Sequence, residues 1–264
     1  MQTIFLKLGG SLITEKHHAF TANHHRLKSL AVEIRESFGD GTSTHLVLAH
    51  GSGSFGHQAA KQYGTRNGVQ TPADWLGFLE VWKQARALNQ IVMDVFSEAG
   101  LPVISFPPVS AVLSHDRKIV SWDTAPIQTA LSHHLIPVIY GDVIFDQHLN
   151  GTILSTEELF FGLANQITPN IILIAGIEEG VWQDFPDCTK LVEKITPQEL
   201  ALREAVISGS NAVDVTGGMA EKVHQMVNLV QFHPEIQVQI FSGVQPGSIQ
   251  SALNGAHLGT VIHN

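Results

Sequence analysis

Three glycine-rich turns in this sequence each carry a cation or an imidazole beside them, a combination suited to holding phosphate groups. The first is Lys7-Leu8-Gly9-Gly10-Ser11, with Lys16 shortly after it. The second is His50-Gly51-Ser52-Gly53-Ser54-Phe55-Gly56-His57. The third is Asp214-Val215-Thr216-Gly217-Gly218-Met219, with Lys222 one helical turn beyond. Where side chains are missing, backbone N–H groups can approach an anion closely, and a following helix adds partial positive charge. Any one Gly-Gly pair reads equally well as a tight turn. Three of them, each with a basic neighbour, point to a polyanionic ligand.

Other familiar patterns fit less well. Gly51-x-Gly53-x-x-Gly56 matches the dinucleotide fingerprint on paper, but that motif needs a strand ending in an acidic residue about 20 residues on. Here that distance falls on Thr71-Pro72-Ala73-Asp74, which reads as a helix start. Neither Lys16 nor Lys222 sits in a P-loop context, and no HExxH is present. The pairs His17-His18, His24-His25 and His133-His134 place adjacent imidazoles on different faces of any regular element, so they make poor chelates. No residue set reads as a metal site. His57 stands apart because it closes a glycine-rich turn.

The chain that positions these groups has 264 residues, 44% hydrophobic and 15% charged. That composition suits a packed α/β domain and excludes a disordered chain. The balance of 15 Lys+Arg against 24 Asp+Glu, a net charge of −9, argues against a nucleic-acid backbone binder while leaving room for a local cationic pocket. The single cysteine, Cys188, permits no internal disulfide and fits a reducing compartment. With no signal-like start and no apolar run near the roughly 20 residues that span a bilayer, a soluble, cytoplasmic protein without membrane contact is expected.

The pattern predicts strands alternating with helices from end to end. Thr3–Leu8, His45–His50, Val103–Phe106, Pro137–Tyr140, Asn170–Ala175, Val238–Phe241 and Gly259–Ile262 read as short buried strands. Hairpins are expected near His115–Lys118 and around Asn150-Gly151. Helices are expected over about 25–38, from Thr71-Pro72 to Gly100, after Asp123 or Thr124, after Ser155 with Glu158 as a capping box, after Thr196-Pro197, and from Gly217 to about Phe232. Residues 51–57 read as a loop. The order implies a mostly parallel sheet covered by helices on both faces, in one domain.

The Lys7–Ser11 turn with Lys16, the His50–His57 loop, Tyr140-Gly141-Asp142-Val143, Gly180-Val181, and Asp214–Met219 with Lys222 resemble the amino acid kinase superfamily. The order and spacing hold over nearly the whole chain. The loop ending in His57 is the more specific feature: it resembles the isopentenyl phosphate kinases and the related fosfomycin kinases. The resemblance implies a three-layer αβα sandwich, with an acceptor lobe over about 1–165 and a nucleotide lobe over about 166–264. It implies a homodimer that uses ATP and Mg²⁺ to phosphorylate a small isoprenoid phosphate. It places Lys7, Lys16, His57 and Asp142 in catalysis, with Asp142 orienting Lys7. Ser52, Gly53, His57 and Thr156 would hold the acceptor. Lys7, Gly9, Gly10, Ser11, Gly217, Gly218 and Lys222 would meet the nucleotide. Phe78 and Val81, on the helix after Thr71, are the candidates for an apolar tail pocket.

The chain departs from the family pattern in two places. Ser155-Thr156-Glu157 replaces the usual Ser-Gly-Asp, and Gly176-Ile177-Glu178-Glu179-Gly180 replaces Thr-Asp-Val-Asp-Gly, so Glu178 or Glu179 would stand in for a nucleotide-side aspartate. Two other readings remain open: a kinase of the same fold acting on another small phosphate or phosphonate, and a non-catalytic nucleotide-binding protein.

Overall fold

The computed structural model describes residues 2–15, 18–39, 43–200 and 217–264, without the side chains of residues 57 and 58 or that of Gly217. The chain runs β1 (Gln2–Leu8), α1 (Gly10–Ile13), α2 (His24–Phe38), β2 (Thr44–His50), α3 (Gly53–Tyr63), α4 (Pro72–Glu98) and β3 (Val103–Ser105). Next come β4 (Val112–His115), β5 (Lys118–Trp122), α5 (Ala125–Ser132), β6 (Ile136–Tyr140), β7 (Asp142–Asp146), β8 (Asn150–Leu154) and α6 (Thr156–Ala164). The last part holds β9 (Ile171–Gly176), β10 (Val181–Trp182), β11 (Leu191–Val192), β12 (Lys194–Ile195), α7 (Gly217–Phe232), β13 (Gln237–Ser242), α8 (Ser248–Leu253) and β14 (Thr260–Ile262).

Eight strands form one sheet in the order β12-β14-β13-β9-β1-β2-β6-β3. Every pairing is parallel except β13 with β14. A second sheet, β5-β4-β7-β8, stands to one side. β1 is paired on both edges, so its residues are buried on both faces and split strictly by parity. Ile4, Leu6 and Leu8 join a core with α2, α4 and α8, through Leu30, Ile34, Val92, Phe96 and Ile249. Phe5 faces the opposite core, built with α5, α6 and α7 through Leu131, Phe160, Leu163, Met226 and Val230. This is the expected αβα sandwich.

Parity also decides where the polar residues at the strand ends go. Lys7 shares the face of Phe5, toward α6. His50 shares the face of Leu46 and Leu48, toward α4. α6 and α4 each begin with a complete capping box, Ser155/Glu158 and Thr71/Asp74, and Pro72 occupies the first turn of α4.

Two local expectations are corrected. Residues 53–57 belong to α3 rather than to a loop: only Gly53 has positive φ (+49°), and the segment from Ser54 continues helically to a left-handed Gly64 stop. Asn150-Gly151 is not the centre of a two-residue hairpin turn. Asn150, with φ +61°, already pairs with Asp146. The Asp146 carboxylate accepts N–H bonds from His148 and Leu149 and so builds a wider loop. No helix among the described residues is long and apolar enough to cross a membrane.

Candidate active site

The carboxyl ends of β1, β2, β6 and β9 open onto one cavity of about 960 Å³. Ligand sites in open parallel sheets occur at this edge, where successive strands hand over to turns. The wall includes Lys7, Gly9, Gly10, Ser11, Ser52, Gly53, Thr156, Gly218 and Lys222, so the structure brings residues of all three glycine-rich segments to one space. Lys16 lies outside the described residues. The backbone of His57 is in α3, and its side chain lies outside the described residues.

The first two turns are locked backbone to backbone. A Cβ on Gly10 would lie 2.3 Å from the Gly53 nitrogen, and one on Gly53 would lie 2.6 Å from the Gly10 oxygen. No side chain fits at either position. Thr14 closes the joint: its hydroxyl donates to the Gly10 carbonyl at 2.7 Å and accepts the Ser54 N–H at 3.0 Å. Thr14 is polar and buried, and no motif singles it out. Only the folded contact reveals it.

Lys7 is only 7% exposed, so it is not a solvated strand-end lysine. Its Nζ donates to Glu157 Oε2 at 2.5 Å. Burial opposes the Glu157 charge, but Lys7 and then Lys222 outweigh it and hold the carboxyl below its usual range. Lys222 is half-buried on the cavity wall, and its pKa is lowered, first by burial and then by the charge of Lys7. Glu157 and Glu178 partly offset that lowering. The site is thus a cluster of two cations and two carboxylates at the junction of β1, α6, α7 and the turn after β9.

The partner that orients Lys7 is therefore Glu157, where the family resemblance had pointed to Asp142. Asp142 is 1% exposed, does not line the cavity, and accepts the backbone amide of Val143. Burial pushes its pKa up to about 7. Parity along β1 directs Lys7 to the α6 face, and Glu157 occupies the first turn of that helix.

Beside the second glycine turn, Thr156 donates through Oγ1 to the His50 carbonyl at 3.0 Å, which fixes the start of α6 against that turn. The His50 ring is buried, contacts the Gly51 carbonyl and Asn89, and stacks on Tyr140 at 5.4 Å. Burial lowers its pKa, with Lys7 adding to the effect, so the ring is neutral at pH 7. The cavity lining also includes the apolar Ala60, Val81, Ala85, Ile153 and Leu154. Val81 takes the expected place. Phe78 does not line the cavity. It packs in a core cluster with Val69, Val81 and Val143, and against the open face of Gly151.

On the opposite side, Ile177, Glu178, Gly180, Trp182, Phe185 and Met219 surround the space next to Lys222. Glu178, foreseen as one stand-in for the missing aspartate, is on the wall; Glu179 is not. Among the described residues, no group of three or more His, Cys, Asp or Glu could by itself hold a metal ion.

Residues 2–242 match the amino acid kinase family. The chain belongs to this family. It is 30% identical over 266 residues to the isopentenyl phosphate kinase of Methanocaldococcus jannaschii, covering 97% of each chain. It is 28% identical to the isopentenyl phosphate kinase of Methanothermobacter thermautotrophicus, covering 96% of this chain and 95% of that one. A solved isopentenyl phosphate kinase structure superposes with a TM-score of 0.84 at 26% identity, covering 99% of this chain and all of that one. In this member of the amino acid kinase family, the first two glycine-rich turns lie at the sheet edge where the cavity opens.

Proposed function

We propose that this protein transfers the γ-phosphate of ATP to isopentenyl phosphate, yielding isopentenyl diphosphate and ADP. The observation that carries this reading is a single cavity in which two interlocked anion-binding turns meet an apolar wall of Val81, Ala85, Ile153 and Leu154. Its full-length similarity to isopentenyl phosphate kinases supports the same acceptor.

A terminal oxygen of the acceptor monoester attacks the γ-phosphorus, and the bond to the β–γ bridging oxygen breaks. A phosphate monoester is already largely ionised at pH 7, so its oxygen needs no strong base. Catalysis is then positioning and charge neutralisation. In this reading, N–H groups of the first turn and Lys7 hold the transferred group, and Lys222 and Gly218 meet the nucleotide. Ser52, Gly53 and His57 hold the acceptor phosphate. Glu157 pairs with Lys7 and aims it. Lys16 adds a further cation.

The donor set also suits Mg²⁺ arriving with the nucleotide, because Mg²⁺ keeps waters and phosphate oxygens and takes only one or two carboxylates. Glu178 is the wall carboxylate that would hold it, and the ion would offset charge on the phosphates. Residues to about 165 would serve the acceptor and those after it the nucleotide. A cytoplasmic homodimer is the expected form.

The test is an ADP-release assay with ATP against isopentenyl phosphate, dimethylallyl phosphate and fosfomycin. Turnover of an isoprenoid phosphate with little on fosfomycin is expected, because Val81, Ala85, Ile153 and Leu154 offer apolar contact to a hydrocarbon tail. The reverse preference would assign the cavity to a fosfomycin-type kinase. No turnover of any acceptor would remove the kinase reading.

A further inference from the structure

Four charged side chains from four segments far apart in sequence form a network, and two of them, Arg66 and Glu221, line this cavity. Arg66, on the turn after α3, pairs through Nη1 with Glu158 Oε2 at 3.4 Å and through Nη2 with Glu221 Oε1. Arg117, at the β4–β5 turn, pairs with Glu158 Oε1 at 2.6 Å and with Glu221 Oε1 at 3.5 Å. Glu158 also caps α6, accepting the Ser155 N–H at 2.6 Å. Glu221 immediately precedes Lys222 on α7.

The network therefore joins the start of α6, which carries Glu157, to the part of α7 that carries Lys222. Lys7 repels Lys222 while Glu157 and Glu178 attract it, so the placement of this part of α7 sets the balance between them. The apolar contacts of α7, through Val223, Met226 and Val230, fix the helix from that point onward. Among the described residues before Lys222, Met219 packs against the core and Glu221 makes ion pairs with two arginines from other segments.

We propose that Arg66 and Glu221, with Arg117 as second partner, are positioning residues for Lys222. The proposal rests on the assignment of Lys222 to the nucleotide phosphates. Arg66 is 30% and Glu221 52% exposed at the side chain. Pairs this open contribute little to stability. A misplaced phosphate ligand, by contrast, is costly in rate, because a shift near 1 Å can lose on the order of a hundredfold. Loss of the tether thus separates rate from stability.

The experiment is a double-mutant cycle with Arg66→Gln, Glu221→Gln and the double variant. It reads kcat, the KM for isopentenyl phosphate, the Kd for ATP by calorimetry, and Tm. Each single change is expected to lower kcat roughly tenfold and weaken ATP binding, with the acceptor KM within twofold and Tm within a few degrees. The double variant should be no worse than the poorer single one, and Arg66→Lys should recover most of the loss. Parent-level kcat and ATP affinity in either single variant would overturn the proposal. So would losses that multiply in the double variant, or a rise confined to the acceptor KM in Arg66→Gln. If the parent turns over no isoprenoid phosphate, the acceptor assignment fails instead, and the ATP-binding cycle still decides the tether.

Discussion

Lys7 and Glu157 lie 150 residues apart in sequence, yet Nζ and Oε2 are 2.5 Å apart in the fold, buried between β1 and α6. The pair keeps a cation at the wall of a site that must receive anions. It also makes each partner depend on the other. Removing one side of a buried pair leaves an uncompensated charge, typically at a cost of about 3–5 kcal/mol. Lys7→Met should therefore lose stability as well as activity. Adding Glu157→Gln should restore much of the Tm while activity stays absent. Melting curves and turnover of the two single variants and the double variant check this. A double variant no more stable than Lys7→Met would show that the pair does not set the stability of this junction.

His57→Ala should cut kcat with isopentenyl phosphate by about 10²–10³, the loss typical of one donor that strengthens in the transition state. ATP affinity should persist, because the first and third glycine-rich segments are untouched. Near-normal turnover would remove His57 from the mechanism.

Val81 and Phe78 are three residues apart on α4 and share one core cluster, but only Val81 also lines the cavity. Val81→Ala should favour longer isoprenoid phosphates over isopentenyl phosphate, by roughly fourfold per additional buried CH₂ at about 0.8 kcal/mol each. Phe78→Ala should lose about 3–5 kcal/mol of stability with an unchanged preference. Specificity ratios and Tm for the two variants separate the cases. A shifted ratio in Phe78→Ala alone would reverse the assignment.

Asp142 should leave a signature in the pH dependence of stability. Its pKa, raised from 3.8 to about 7, means that the folded state keeps a proton which the unfolded state loses. Stability therefore falls as pH rises from about 4 to about 7, with a slope approaching 1.4 kcal/mol per pH unit from this group. Denaturant titrations at several pH values should show that Asp142→Asn flattens this part of the profile, whatever its constant offset. Parallel profiles for parent and variant would show that Asp142 titrates normally.

Much of this arrangement was legible in the sequence, for physical reasons. Short apolar runs with glycine stops announced the parallel strands, and Ser155/Glu158 and Thr71-Pro72 announced two helix starts. The phosphate turns were visible because glycine is informative wherever backbone must approach an anion. The partner of Lys7 was not legible. Glu157 sits inside a capping sequence where an acidic residue is expected in any case, and its role depends on β1 turning Lys7 toward α6. The α3 start was hidden because Gly53 and Gly56 argue against a helix, whereas here one is a hinge and the other faces the cavity. The Arg66–Glu221 contact spans 155 residues and follows no local pattern.

The interlock of Gly10 with Gly53 has a consequence for how this scaffold can change its substrate. Main-chain atoms set the gap between the two turns, so in the proposed reaction no choice of side chain widens or narrows the distance between the phosphates they would hold. That distance is a fixed ruler for joining one phosphate to another. Diversification is left to the far end of the cavity, where Val81, Ala85 and Ile153 can be exchanged without disturbing the ruler. Descendants of this chain should therefore differ in what hangs from the acceptor phosphate far more readily than in the bond they make.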